Sequence, residues 1–131
     1  MPEKEIGVQQ AIVGYCNLKG ILVHSSADGV PFFGNWPLIT KLKSINAILP
    51  GWPDLTIPYC RNGKAGLYLE LKSLTGRITP CQAEMLERLQ AEGYEAKVVH
   101  GFDEAIKTIE NYLKGRETAP RSVRGPSNFN E

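Results

Sequence analysis

The run Thr79-Pro80-Cys81-Gln82, set between two stretches of β character, restricts the fold of this chain more than any other feature. Threonine is a favoured N-cap, proline suits the first helical turn, and glutamine three residues after the cap completes a capping-box pattern. Met85, Leu86 and Leu89 follow at helical spacing and Gly93 ends the segment, so a helix is predicted over residues 80–92. Before it, Leu69-Glu70-Leu71-Lys72 alternates apolar and charged residues as a half-buried strand does. After it, Tyr94-Glu95-Ala96-Lys97-Val98-Val99 reads as another strand. A strand-helix-strand connection of this length crosses over right-handed and leaves its two strands parallel. The fold class is therefore α/β.

The flanking segments extend the same architecture. Leu55-Thr56-Ile57-Pro58-Tyr59 reads as a strand, and Arg61-Asn62-Gly63 as a turn that folds it back on the strand bearing Glu70. The sheet is thus small and mixed, flanked by helices. Residues 3–18, with Ile6, Val8, Ile12, Val13 and Leu18, carry a helical pattern closed by Gly20. Ile21-Leu22-Val23-His24 then reads as a first strand, and a last helix begins at Asp103, with Ala105, Ile106, Ile109, Tyr112 and Leu113 on its apolar face. A length of 131 residues fits one domain, expected over 1–115. The tail 116–131 has three arginines and too few apolar residues to offset its ordering entropy, and is expected either to be disordered or to hold a neighbouring subunit.

From Ser25 to Trp52 the chain is rich in Ser, Gly and Pro, with Phe32, Phe33 and Trp36 together and a helical stretch from Leu38 to Ile48. A long excursion of this kind in a compact domain is usually functional. Its aromatic rings either stack on unpaired bases or pack beneath the loop, and packing is the expected role. No apolar run approaches the roughly 20 residues that cross a bilayer, and the charged N-terminus precedes no signal-peptide core, so a cytoplasmic protein is expected. Cys16, Cys60 and Cys81 lack C-x-x-C spacing and are read as buried thiols. His24 and His100, each without a second histidine nearby, are read as strand-end or surface residues.

The net charge of +1 does not announce a polyanionic partner, but its distribution does. Between residues 41 and 77 stand Lys41, Lys43, Arg61, Lys64, Lys72 and Arg77, against only Asp54 and Glu70. Those two acids are also the candidate metal ligands. Glu70 and Lys72 project to one side of their strand, Leu69 and Leu71 to the other. Asp54 stands directly before the paired strand, so folding brings the two carboxylates together. Oxygens so placed repel unless a divalent cation lies between them, and Mg2+ or Mn2+ favours sparse carboxylate sites with room for water and phosphate. Cationic neutralisation of Asp54 and Glu70 would leave a positive surface suited to a phosphate backbone.

This set resembles the PD-(D/E)XK nuclease superfamily, whose motif is written here as Pro53-Asp54 followed by Glu70-Leu71-Lys72. It is similar in particular to the VRR-NUC branch, the virus-type replication and repair nuclease domain, whose pattern adds a glycine before the Pro-Asp and a glutamine after the lysine, here Gly51 and Gln82. Glu5 and Gln9, four apart on the first helix, also look like the family. The resemblance spans residues 3–113. It implies a restriction-endonuclease-like core of order αβββαβ and a metal-dependent DNA endonuclease active in replication, recombination or repair. Branched DNA such as a Holliday junction, a homodimer and stand-alone phage-type relatives are implied with it.

By the same resemblance Asp54 and Glu70 hold Mg2+ or Mn2+ together with the backbone carbonyl of Leu71. Lys72, a residue type ordinarily protonated near neutral pH, orients the nucleophilic water and stabilises the accumulating charge. Gln82 is either a member of the active centre or, by its position alone, a capping side chain. Glu5 and Gln9 either support the site or are solvated helix positions, and Lys41, Lys43, Arg61, Lys64 and Arg77 are candidate nucleic-acid contacts. The alternative is a catalytically silent nucleic-acid-binding or assembly module of the same fold. Its signature would be the loss of one catalytic group, and none is lost here.

Overall fold

A computed structural model describes residues 3–27 and 34–118, with side chains of the first helix from residue 6 onward. The elements run α1 (Glu3–Leu18), β1 (His24–Ser25), α2 (Trp36–Ser44), β2 (Leu55–Ile57), β3 (Leu67–Lys72), α3 (Pro80–Ala91), β4 (Glu95–His100) and α4 (Gly101–Leu113). The four strands lie in the order β1-β2-β3-β4. The first two pairings are antiparallel, and β3 and β4 run parallel across the α3 crossover. The α/β class and the mixed sheet read from the sequence are those of the structure.

The period of two along β3 sorts its side chains into two cores. Leu67, Leu69 and Leu71, with Leu55 and Ile57 of β2, pack under Ile12 and Cys16 of α1 and Ala105, Ile109 and Tyr112 of α4. On the opposite face Tyr68, Ala96 and Val98 pack against Leu86 and Leu89 of α3, with Trp52 and Tyr94 at the margin. Burying five aliphatic side chains of β2 and β3 contributes on the order of 10 kcal/mol of hydrophobic free energy, so the α1/α4 side anchors the sheet.

Boundaries shift where backbone groups are already engaged. Residues 21–23 are outside β1 because the Ile21 amide bonds the Cys16 carbonyl at 2.8 Å as part of the α1 terminus, and the Leu22 amide donates to the Tyr59 hydroxyl at 2.8 Å. Likewise the Tyr94 amide closes α3 on the Leu89 carbonyl at 3.1 Å, so β4 starts at Glu95. The helix expected from Leu38 to Ile48 lies earlier. Asn35 caps it through its side chain on the Leu38 amide at 3.2 Å, and Asn46, in the left-handed region at φ 57°, follows its end. α4 begins at Gly101 rather than Asp103, because the Glu104 carboxylate accepts the His100 amide at 2.8 Å and caps the helix from within.

The turn predicted at Arg61-Asn62-Gly63 is tight. Arg61 and Lys64 exchange backbone hydrogen bonds of 3.1 and 2.8 Å around Asn62 (φ 52°) and Gly63 (φ 79°), the two left-handed positions that an Asn-Gly pair supplies. Residues 116–118 return to this turn: the Asn62 amide donates to the Arg116 carbonyl at 2.8 Å and Arg61 bridges Glu117. Residues 116–118 therefore belong with the folded part of the chain, and 119–131 lie outside the described residues, as do Phe32 and Phe33. Of the three thiols only Cys16 is buried; Cys60 is half-buried and Cys81 exposed, because it sits in the first turn of α3 where the helix meets solvent. No helix among the described residues is long and apolar enough to cross a membrane.

Candidate active site

Asp54 and Glu70 are the buried acids of this sheet, 5% and 3% exposed. The antiparallel register pairs Leu55 with Leu69, and one step further sets Asp54 across from Glu70 on the α3 face. The Asp54 carboxylate accepts the Leu71 amide at 2.7 Å, and its carbonyl accepts the Ser26 amide at 2.8 Å, which ties β1, β2 and β3 together at this end. In an antiparallel pair a residue's N–H and C=O face the same neighbour, so the Leu71 carbonyl is directed to the Asp54 edge as well.

Lys72 lies on the same face as Glu70, its Nζ 3.9 Å from Glu70 Oε2. That separation exceeds a hydrogen bond, so the attraction is Coulombic and the ammonium keeps its donors for another acceptor. Glu70 Oε2 instead accepts from Gln82 Nε2 at 3.1 Å. The two readings of Gln82 are both realised by one amide orientation. Its Oε1 accepts the Thr79 amide at 2.9 Å, its own amide donates to Thr79 Oγ1 at 3.2 Å, and Nε2 is left to face Glu70.

Gly51 explains why the segment before Asp54 needs a glycine. It lies at φ 84°, and a Cβ there would stand 2.7 Å from the Cys81 carbonyl oxygen and 2.9 Å from its sulfur. The backbone thus runs directly against the first turn of α3, which sets the distance between the Asp54 segment and Gln82. Trp52 meets Tyr68 edge-on at 5.5 Å, Tyr68 meets Tyr94 at 5.1 Å, and Pro53 is fully buried. Three residues of Gly51-Trp52-Pro53-Asp54 therefore hold the fourth in place.

His100 is a strand-end residue, as its place in the sequence implies, and it has a contact beside Lys72 that the sequence did not show. It pairs in register with Lys72 at the end of β4, and its Nε2 lies 3.0 Å from the Gly76 carbonyl, which can only accept, so the ring carries its proton there. A Cβ on Gly76 would sit 3.3 Å from that of Lys72, so this bond fastens the β3–α3 loop beside the lysine. The available signal was a histidine ending the strand parallel to the one bearing Lys72.

The remaining candidates divide. Gln9 is buried on α1, on the other side of the sheet, and donates through Nε2 to the Ser25 hydroxyl; the side chain of Glu5 lies outside the described residues. Lys41 and Lys43 are exposed on α2, and Arg77 on the β3–α3 loop. Arg61 and Lys64 are not brought to the site, because they form the turn at the far end of the β2–β3 hairpin. Arg61 donates to the carbonyls of Leu113 (3.1 Å) and Cys60 (2.8 Å) and lies over the Tyr59 ring, so its guanidinium is structural.

The donor set at the Asp54 end is hard oxygen: two carboxylates and a carbonyl. No group of three or more His, Cys, Asp or Glu side chains occurs among the described residues. The residues fit a Mg2+ or Mn2+ ion that retains most of its waters, and not a structural zinc.

The fold and site define a small three-layer α/β protein with an acid pair and a lysine on adjacent strands. The VRR-NUC domain model matches residues 37–103, a span that includes Asp54, Glu70, Lys72 and Gln82. A solved structure described as a VRR_NUC domain protein is similar at a TM-score of 0.69 and 30% identity, over 86% of this chain and 90% of its own. The chain belongs to the VRR-NUC family, which is nuclease-type. No curated protein matches it.

Proposed function

We propose that this protein is a metal-dependent DNA endonuclease that hydrolyses phosphodiester bonds at the Asp54 end of the sheet. The observation that carries this reading is the burial of two carboxylates on neighbouring strands, with the Lys72 ammonium 3.9 Å from one of them. Each buried charge costs several kcal/mol of desolvation, and a purely structural ion pair would need only one acid. Asp54, Glu70 and the Leu71 carbonyl would hold Mg2+ or Mn2+, which when bound polarises the scissile phosphate and acidifies a coordinated water. Lys72 directs its ammonium at the nucleophile and at the charge that accumulates on the phosphoryl oxygens. Gln82 fixes the Glu70 carboxylate through Nε2 and is itself fixed by the cap of α3. Arg77, Lys41 and Lys43 supply phosphate contacts around this centre.

A domain of this size presents one centre and little surface, so action on both strands of a branched or junction DNA calls for two copies, most simply a symmetric dimer. The test is cleavage of duplex, flap, single-stranded and four-way-junction DNA with Mg2+, Mn2+ or EDTA, comparing wild type with Lys72→Ala. Cutting should require metal, favour the branched substrates and fall about 100-fold or more in the variant, with binding kept. Equal cutting by Lys72→Ala would remove the mechanism, and cutting in EDTA would remove the metal.

A further inference from the structure

α2 is a helix without a buried residue, and its first residue, Trp36, is 70% exposed. An indole so displayed offers a large ring face to a ligand, and packing beneath the loop, the role expected from sequence, is not what the structure gives it. Ile39 and Leu42, half-buried, mark the side of α2 that faces the protein. Trp36, Thr40 and Lys43 stand at i, i+4 and i+7, along a different side, with the Cα atoms of Trp36 and Lys43 about 10 Å apart along the axis. Residues 34–50 contain Lys41 and Lys43 and no acid. Both roots of this arm lie at the Asp54 end of the sheet. Ser26 donates to the Asp54 carbonyl, and the returning chain lines, through Leu49 and Trp52, a cavity of about 510 Å3 shared with Ser25 and Ser26.

We propose that α2 is a binding arm for an unpaired nucleic-acid strand, with Trp36 stacking on a base and Lys43, on the same side of the helix, meeting a phosphate that follows. This rests on the nuclease reading and adds to it which part of a branched substrate the chain recognises. A ring with an ammonium on the same side of a helix is a combination that holds single strands without reading sequence, since every base offers a π-face and every nucleotide a phosphate. A protein partner is the weaker fit, because protein interfaces deplete lysine and this arm has no acid for exchange with a second copy's lysines. Duplex DNA, its bases stacked internally, has no face for the ring.

The experiment titrates the full-length chain, in EDTA so that no strand is cut, with oligo-dT, oligo-U and a duplex of equal length. Tryptophan emission and affinity are followed for wild type, Trp36→Leu and Trp36→Tyr. Trp52, packed against Tyr68, remains in every variant as an internal control. Both single strands should quench wild-type emission, the variant Trp36→Leu should bind them roughly tenfold more weakly with no emission change, and Trp36→Tyr should recover most of the affinity. Duplex affinity should change less than about threefold, since phosphate contacts are kept. The stronger of the two single-strand responses identifies DNA or RNA as the source of the strand. Equal single-strand affinity of wild type and Trp36→Leu overturns the proposal. So does a wild-type dimer that shields Trp36 from acrylamide and dissociates in Trp36→Leu, because a second copy then covers this face. Failure here with metal-dependent cutting intact removes only the arm, whereas loss of the cutting reading leaves these binding curves unchanged.

Discussion

The two ends of the β2–β3 hairpin carry charged side chains within one short stretch of sequence, and they use them in opposite ways. At the Asp54 end, buried acids are held by a backbone amide and by an amide side chain, with an ammonium close by but outside hydrogen-bond range. At the Arg61 end the guanidinium is bonded to two carbonyls and lies against a ring, and the turn is closed by residues 116–118. Charge that is fully engaged by the fold stabilises it. Two acids buried on neighbouring strands, with an ammonium near one of them, are instead placed where a cation and a phosphate could meet them.

The sharpest way to break this contrast is to neutralise the acids. Asp54→Asn and Glu70→Gln should each lower metal-dependent cutting by more than about 100-fold, with metal affinity by calorimetry falling in parallel. Thermal stability should hold or rise, because each change relieves the desolvation of a buried carboxylate. Marked unfolding of both variants would make the acids structural and erase the difference between the two ends.

Gly51→Ala tests whether the Asp54 end depends on backbone contact. A Cβ at φ 84° and 2.7 Å from the Cys81 carbonyl should cost roughly 2 kcal/mol or more, read as a lower midpoint in denaturant, and should weaken cutting by shifting Gln82 from Glu70. An unchanged midpoint would refute that contact.

Two arginines sharpen the comparison further. Arg61→Ala should destabilise the fold by about 1–3 kcal/mol in chemical denaturation, since two carbonyls lose their donor, while DNA affinity at fixed salt stays the same. Arg77→Ala, exposed beside the site, should leave stability alone and lower the salt dependence of DNA binding by about one unit of slope. An exchange of these phenotypes would invert the roles of the two ends.

The smallest effect concerns the thiols. Burial pushes the Cys16 thiol up, so in native protein it should resist alkylation while exposed Cys81 reacts, as mass spectrometry of the labelled chain would report. A raised folded-state value favours the protonated form. Stability from this group is therefore complete below the thiol's ordinary range and is lost only as pH rises through it into the alkaline region.

Much of the fold was legible because its signals are local. The α3 cap, the Asn-Gly turn and the alternation along β3 each depend on neighbours a few residues away, and all three are realised. The pair Asp54 and Glu70 was legible because strand alternation and one turn suffice to bring them together. Gln82 was legible only as a choice between cap and site, since sequence shows that it can cap but not which strand lies beside the helix. Lys64 and Arg61 looked equivalent to Lys41 and Arg77 because a count of charges carries no information about the end of the hairpin on which each falls.

The sequence by itself determined the class, the parallel crossover and the placing of two acids and a lysine on neighbouring strands, through hydrophobic periods and caps that operate within a few residues. Only the tertiary structure decided that Gln82 serves both helix and carboxylate, that Gly51 presses on α3, that His100 fastens the loop beside Lys72 and that Arg61 belongs to the scaffold. Each of those outcomes is a contact between segments distant in sequence, and a side chain able to bond in several ways takes the partner that packing places within reach.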